Sequence, residues 1–149
     1  MKSVLFVCLG NICRSPLAEA IFAHKTRDLD VRCDSAGTAA YHIGNQPDHR
    51  SVRVAHENGI NISHAARQFT AMDFERFDMV IAMDQNNYRD MKSLVPYTPN
   101  NLYLMRDFDP QSGNDKDVPD PYYGGIDGFY SIFDIMSRSI DEVIKHLSD

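Results

Sequence analysis

The run Val4-Leu5-Phe6-Val7-Cys8 is apolar without a break, the pattern of a strand covered on both faces of a parallel sheet. It predicts a first strand over residues 3 to 8. The period then changes. Leu17, Ala20, Ile21 and His24 fall at i, i+3, i+4 and i+7, giving a mostly apolar stripe on a helix from 16 to about 27. Ser15-Pro16 marks its start, because Ser caps orphan N–H groups and Pro fits the first helical position. Glu19 falls one residue late for a capping box. Val31 to Ser35 predicts a short second strand ended by Gly37. A loop through Tyr41, Gly44, Asn45 and Pro47 leads to a helix from about Asp48 to Asn58, stopped by Gly59 in the left-handed position glycine favours.

Ile62 to Gln68 follows neither period and is expected to be a loop with room for one turn of helix. A short helix near Met72 to Glu75 precedes a second continuous apolar run, Asp78 to Met83, hence another buried strand. Asp84 is placed to cap a helix reaching about Ser93, and Asn101 to Met105 supplies a fourth strand. Residues 106 to 126 are rich in Asp, Gly and Pro, and a loop that long in a compact domain is functional or disordered. The last helix has the clearest stripe: Phe129, Ile132, Phe133, Met136, Ile140, Val143, Ile144 and Leu147.

The order β-α-β-α-β-α-β-α predicts an α/β fold with a four-stranded parallel sheet, helices on both faces and right-handed crossovers. Ligands in such sheets bind beyond the carboxyl ends of the strands, where the loop of residues 8 to 15 follows the first strand. No repeat, low-complexity tract or linker divides the 149 residues, so a single domain over 1–149 is expected.

Charge and cysteine content narrow the classes. Fifteen Lys and Arg against 21 Asp and Glu leave a net charge of −6, against sequence-independent nucleic-acid binding. No stretch approaches the roughly 20 apolar residues of a membrane helix, and the N-terminus lacks a signal-peptide pattern. Three cysteines, an odd number, do not form a secreted disulfide framework. A cytoplasmic protein with reduced thiols is expected.

Chemistry concentrates between the first strand and helix. Cys8 and Arg14 are separated by five residues, with Ser15 next. A tight turn through Leu9, Gly10, Asn11, Ile12 and Cys13 curls backbone N–H groups into a nest for a tetrahedral oxyanion. Arg14 adds a planar fork suited to two of its oxygens. Such donors favour a thiolate at Cys8 over the free thiol, whose pKa is about 8.5. The rival description is a buried strand-end cysteine with a surface arginine nearby, but Gly10, the preceding strand and the following helix start argue for the anion site. No GK[ST] ending is present, so the loop is not a nucleotide phosphate loop.

Elsewhere, residues alone leave alternatives open. Asp120 is one of five aspartates in the acidic loop, with Asp107, Asp109, Asp115 and Asp117, and spacing favours a solvated turn residue before a proline. His64 suits a satisfied structural role, Cys13 a small buried apolar one, and Cys33 a structural place in its strand. Tyr41, Tyr122 and Tyr123 come from loops that meet the rim of the anion site, although exposed tyrosines are common. With Leu9 and Ile12 they are expected to give the anion site apolar walls. No cysteine-histidine cluster has zinc spacing, and no metal or cofactor is expected.

Cys8-Leu-Gly-Asn-Ile-Cys-Arg-Ser15-Pro16 resembles the signature loop of the low-molecular-weight protein tyrosine phosphatases. Asp34-Ser35-Ala36-Gly37-Thr38, Ile43-Gly44-Asn45, Ser63 to Gln68, Met83-Asp84 and Asp120-Pro121-Tyr122-Tyr123 are similar to family motifs in family order. The resemblance implies that Cys8 attacks phosphorus to form a phosphocysteine while Arg14 and the loop amides stabilise the equatorial oxygens. It implies that Asp120 protonates the leaving phenolate and then activates water. It gives the Ser15 hydroxyl a second role, stabilising the thiolate, and has Ser35 and His64 hold Asn11. It makes Cys13 a redox partner forming a reversible disulfide with Cys8. Tyrosine-phosphorylated proteins are then the substrates, phosphate and other oxyanions the product or inhibitors, and the state a monomer or weak dimer through Tyr122 and Tyr123, which the family suggests are themselves phosphorylated. A related branch that acts on phosphoarginine carries threonine at the position of Ile12, which favours phosphotyrosine. Arsenate reductases of this fold need two further cysteines near residues 80 to 90, and Val80 to Asp90 contains none. A cysteine phosphocarrier module is the alternative from another class.

Overall fold

The computed structural model describes residues 1–148. Four strands, β1 (Lys2–Cys8), β2 (Val31–Gly37), β3 (Met79–Ala82) and β4 (Leu102–Leu104), form one sheet in the order β2-β1-β3-β4. Every pairing is parallel. β1 pairs with a strand on each side, and both its faces are covered by other elements, which is why its apolar run is continuous. Val4, Leu5, Phe6 and Val7 are all fully buried.

Side chains alternate across the sheet, so the two halves of that run face different helices. Val4, Phe6 and Cys8 join Leu17, Ile21 and Phe22 of α1 (Arg14–Lys25) and Ile132, Met136, Ile140 and Val143 of α5 (Ile126–Ser148). Leu5 and Val7 join Phe69, with Phe74 of α3 (Asp73–Arg76), Phe77 and Met91 of α4 (Gln85–Lys92). Each fully buried side chain of this size contributes about 1.5–3 kcal/mol relative to exposure. A smaller cluster of Ile12, Cys13, Val54, Ala66 and Phe129 sits behind the loop after β1 and fastens it to α2 (His49–Glu57) and α5.

The expected architecture holds, with local differences. α1 begins at Arg14, with Cys13 at its N-cap and no side-chain cap bond. Ser15 is therefore not the cap. It lies inside the first turn, where its hydroxyl turns towards Cys8, 3.0 Å from Sγ. His24 is exposed, and Ala18 and Phe22 broaden the buried stripe instead. β2 runs on to Gly37, which bridges Gln68, and residues 62–67 form neither helix nor strand. Met105 belongs to a 3-10 turn, Met105–Asp107, and not to β4. The caps at Asp48 and Asp84 accept from Arg50 N (2.8 Å) and Asn87 N (2.7 Å), and Gly59 has φ +74°.

The acidic loop after β4 is tied down by arginines. Arg106 donates to Asp109 (3.1 Å), Asp115 (2.9 Å) and the Asp117 carbonyl (3.2 Å). Arg138 of α5 donates to Asp109 at 2.7 and 3.1 Å. The aspartates thus compensate buried or half-buried cations, and the loop arrives at residue 120 along a defined path.

Candidate active site

Residues 8–15 curl at the carboxyl end of β1, and the turn depends on Asn11. Its φ of +57° makes it the one non-glycine residue in the left-handed region among those described, a conformation that costs about 1 kcal/mol and persists where surroundings over-determine it. Four hydrogen bonds do so. Asn11 Nδ2 donates to Ser15 Oγ (2.7 Å) and Ser35 Oγ (3.0 Å). Its Oδ1 accepts from Arg67 N (3.0 Å) and faces His64 Nε2 at 2.7 Å. The result aims Asn11 N–H at Cys8 Sγ (3.3 Å) beside the Ser15 hydroxyl, the donors a thiolate requires. β2 must approach closely for this, and a Cβ at Gly37 would meet Leu9 O at 2.7 Å and Asn11 N at 3.1 Å.

His64 is itself held. Because Asn11 Oδ1 is an acceptor, His64 Nε2 carries the hydrogen, leaving Nδ1 towards Glu19 Oε1 (3.2 Å) and Asp34 Oδ1 (3.8 Å). Burial pushes the Glu19 carboxyl up to about 7 against the pull of the Ser35 hydrogen bond, with Asp34 adding to the rise. Burial also pushes His64 down, opposed by Asp34. Both are thereby driven towards neutral forms. Raising a carboxyl in the folded state makes stability fall as pH rises, because only the unfolded chain releases that proton between about 4.5 and about 7. Across that range the wild type is expected to lose about 2 kcal/mol relative to Glu19→Gln. Urea midpoints at pH 4.5 and 7 check this, and equal slopes for the two proteins would refute it. Glu19, Asp34 and His64 are also the one group among the described residues whose atoms could surround a cation, within 4.8 Å of one another. Ser35 donates to Glu19 at 2.6 Å and Arg67 to Asp34 at 3.0 Å, which engages both carboxylates without an ion.

Arg14 is 2% exposed, not a surface residue. Its Nη1 donates to Asp84 Oδ2 (2.7 Å) and the Val118 carbonyl (2.8 Å). Nη2 stands 3.6 Å from Asp120 Oδ2, and Nε is buried without a partner. One edge of the guanidinium is thus spent on anchoring, and the other keeps a free donor of the kind a planar oxyanion face can use. Asp120 turns over its own backbone, Oδ1 accepting from Tyr122 N at 3.1 Å.

These groups share a slot of about 100 Å³ lined by Cys8, Leu9, Gly10, Ile12, Cys13, Arg14, Tyr41, His42, Asp120, Tyr122 and Tyr123. Leu9 and Ile12 wall it, and the aromatic rim is continuous: ring centroids lie 6.5 Å apart for Tyr41–His42, 6.1 Å for His42–Tyr122 and 4.9 Å for Tyr122–Tyr123. The structure brings together every predicted site residue, with Ser35 and His64 one layer behind the loop. Cys13 is buried in the loop, and burial pushes its thiol strongly up, with Asp48 and Cys8 adding to the rise. Cys33 stays apart, its thiol pushed up to about 12 by burial with Glu19 and Asp34 adding. Sequence reasoning missed Glu19, His42 and Arg50, and gave Asp84 a place as a helix cap and in a family motif but no part in holding Arg14. The sole hint was Glu19, one residue out of place for capping.

The sequence model described as "Low molecular weight phosphotyrosine protein phosphatase" matches residues 3–149. A Schizosaccharomyces pombe protein of that description is 44% identical over 131 residues, covering 85% of this chain and 84% of the relative. Its Homo sapiens counterpart is 43% identical over 139 residues, with 89% and 87% covered. The crystal structure of a protein tyrosine phosphatase from Entamoeba histolytica superposes with a TM-score of 0.94 at 37% identity, covering 99% of this chain and 97% of that one. Similarity on this scale, spanning both the loop after β1 and the distant Asp120, leaves one assignment: the chain belongs to the low molecular weight phosphotyrosine protein phosphatase family.

Proposed function

We propose that residues 1–149 act as a single phosphatase domain that hydrolyses phosphotyrosine in proteins, and small aryl phosphates, through a phosphocysteine on Cys8. The observation that carries this is the convergence of Cys8, Arg14 and Asp120 on one narrow slot. The Cys8 thiolate attacks phosphorus, forming the S–P bond as the P–O(aryl) bond breaks. Loop amides and the free edge of Arg14 stabilise the equatorial oxygens. Asp120 gives its proton to the departing phenolate, and as carboxylate it then takes one from the water that attacks the phosphocysteine. Inorganic phosphate leaves, and the Ser15 hydroxyl donates to the sulfur released. Residues 9–13 supply the loop, while Ser35 and His64 act through Asn11. The charge stabilisation assigned to backbone and Arg14 needs no metal.

Leu9, Ile12 and the Tyr41, Tyr122 and Tyr123 rim select a flat aryl ester, and the resemblance of Ile12 to the tyrosine-specific branch favours phosphotyrosine over phosphoarginine. Turnover of matched phosphotyrosine, phosphoserine and phosphoarginine peptides is the test. Phosphotyrosine is expected to exceed the others by at least about tenfold in kcat/KM. Preference for phosphoarginine would reassign the substrate. Cys13, kept a neutral thiol by burial, is proposed to condense with a peroxide-generated sulfenic acid on Cys8, losing water to give a disulfide that a thiol reductant reverses. The three thiols, an odd number, support a cytoplasmic protein. The loop that takes the phosphoryl group makes phosphate and other oxyanions inhibitors, and the exposed Tyr122 and Tyr123 suit a monomer or weak dimer. No helix among the described residues is long and apolar enough to cross a membrane.

A further inference from the structure

We propose that Arg50 is the positioning residue for Asp120, clasping the loop that bears the acid to the phosphate-binding loop; the inference rests on the acid role assigned to Asp120. The Asp120 side chain is 39% exposed; its one hydrogen-bond partner among the described residues is Tyr122 N, and Arg14 Nη2 stands 3.6 Å from its other oxygen. Its position at the slot therefore depends on the backbone that follows, and Tyr122 to Gly125 lies outside any helix or strand. Arg50 holds that backbone across 72 and 74 residues of chain. Nη2 donates to the Tyr122 carbonyl (3.0 Å) and Nη1 to the Gly124 carbonyl (2.9 Å).

Arg50 is fixed from behind as well. Nε and Nη2 donate to the two Asp48 oxygens at 3.0 and 2.9 Å, and the guanidinium lies over the Phe129 ring at 4.4 Å. Asp48 is in turn joined to the phosphate-binding loop by its N–H, 2.7 Å from the Ile12 carbonyl. A continuous strap thus runs from Ile12 through Asp48 and Arg50 to Tyr122 and Gly124, spanning the slot. The helix does not explain Arg50, because a cation in the first turn of α2 opposes the helix dipole. A lysine could not replace it, having one ammonium where the strap uses three nitrogens in a fixed plane.

The kinetic signature separates positioning from general support. In kcat/KM, which reports the step through loss of the aryl group, an acid matters for phenyl phosphate, whose phenolate leaves poorly. It matters little for a nitrophenyl phosphate, whose phenolate leaves unaided. Asp120→Ala is expected to lower kcat/KM for phenyl phosphate about 100-fold, with a far smaller loss for the nitrophenyl ester. Arg50→Gln is expected to lower the phenyl value about tenfold through misplacement of the acid, with the nitrophenyl value changed by no more than about twofold. Combined with Asp120→Ala, Arg50→Gln should cause no further loss, because the group it positions is gone. Equal losses on both esters, or multiplied losses in the double variant, would show that Arg50 supports the fold or the anion site and would overturn the proposal. Should Arg50→Gln not fold, Arg50→Lys, which keeps the charge and loses the fork, carries the same comparison. A flat leaving-group response in Asp120→Ala would instead remove the acid assignment itself, a separate failure.

Discussion

Cys8→Ser abolishes turnover of aryl phosphates, lowering kcat by at least about 10⁴-fold, while the protein stays folded and still binds phosphate. The change is one atom at the end of β1, where Cys8 is 3% exposed. A hydroxyl fits the space of the thiol and can meet the same donors, Asn11 N and the Ser15 hydroxyl. Stability should thus move by no more than about 1 kcal/mol. What the substitution removes is the ionised nucleophile. A serine hydroxyl needs a base to take its proton, and the histidine nearest the back of the loop, His64, faces Asn11 and Glu19 instead. Steady-state hydrolysis and phosphate inhibition, measured on the same preparation, separate the two effects. Retention of more than about 1% of kcat would place the nucleophile elsewhere.

Legibility of the chain followed how local each cause is. β1 and α5 were plain because burial on two faces, or along one stripe, writes itself into consecutive residues. The start of α1 was misjudged for a local reason too: Pro16 fits a first helical position, but Arg14 is drawn into the helix by its contacts with Asp84 and Val118, 70 and 104 residues away. That moved Ser15 from cap to thiol partner. Asp120 shows the limit most clearly. As residues, the five aspartates of its loop are alike. In the structure Asp109 and Asp115 answer Arg106, Asp107 answers Lys116, and Asp117 accepts from Gln85 N. Asp120 alone of the five lines the slot. Its distinction is tertiary, as are those of Glu19 and Arg50, and only a resemblance to known sequences could single it out beforehand.

Arg14→Lys preserves the charge of the anion site and is nonetheless expected to lower kcat about 10³-fold. The wild-type side chain does two jobs with one rigid plane. Nη1 is committed to Asp84 Oδ2 and the Val118 carbonyl, and this anchoring leaves Nε, buried and unpartnered, to meet the anion. A lysine ammonium at the same depth is drawn to Asp84 and cannot also present a second, coplanar donor. Charge alone would then hold the phosphoryl oxygens of the ground state, while the transition state loses the fork that its equatorial oxygens need. The loss should fall mainly on kcat, with inhibition by phosphate weakened by a smaller factor of about tenfold. Stability should fall by about 1–3 kcal/mol, because the Val118 carbonyl loses its donor and a strongly hydrated ammonium is buried where Arg14 is 2% exposed. Asp84→Asn provides the complementary measurement. It keeps an acceptor for Nη1 while weakening the anchor, so a milder loss of kcat with the same leaving-group response as wild type is expected. A kcat within about tenfold of wild type for Arg14→Lys would mean that positive charge, and not the geometry of the guanidinium, does the stabilising.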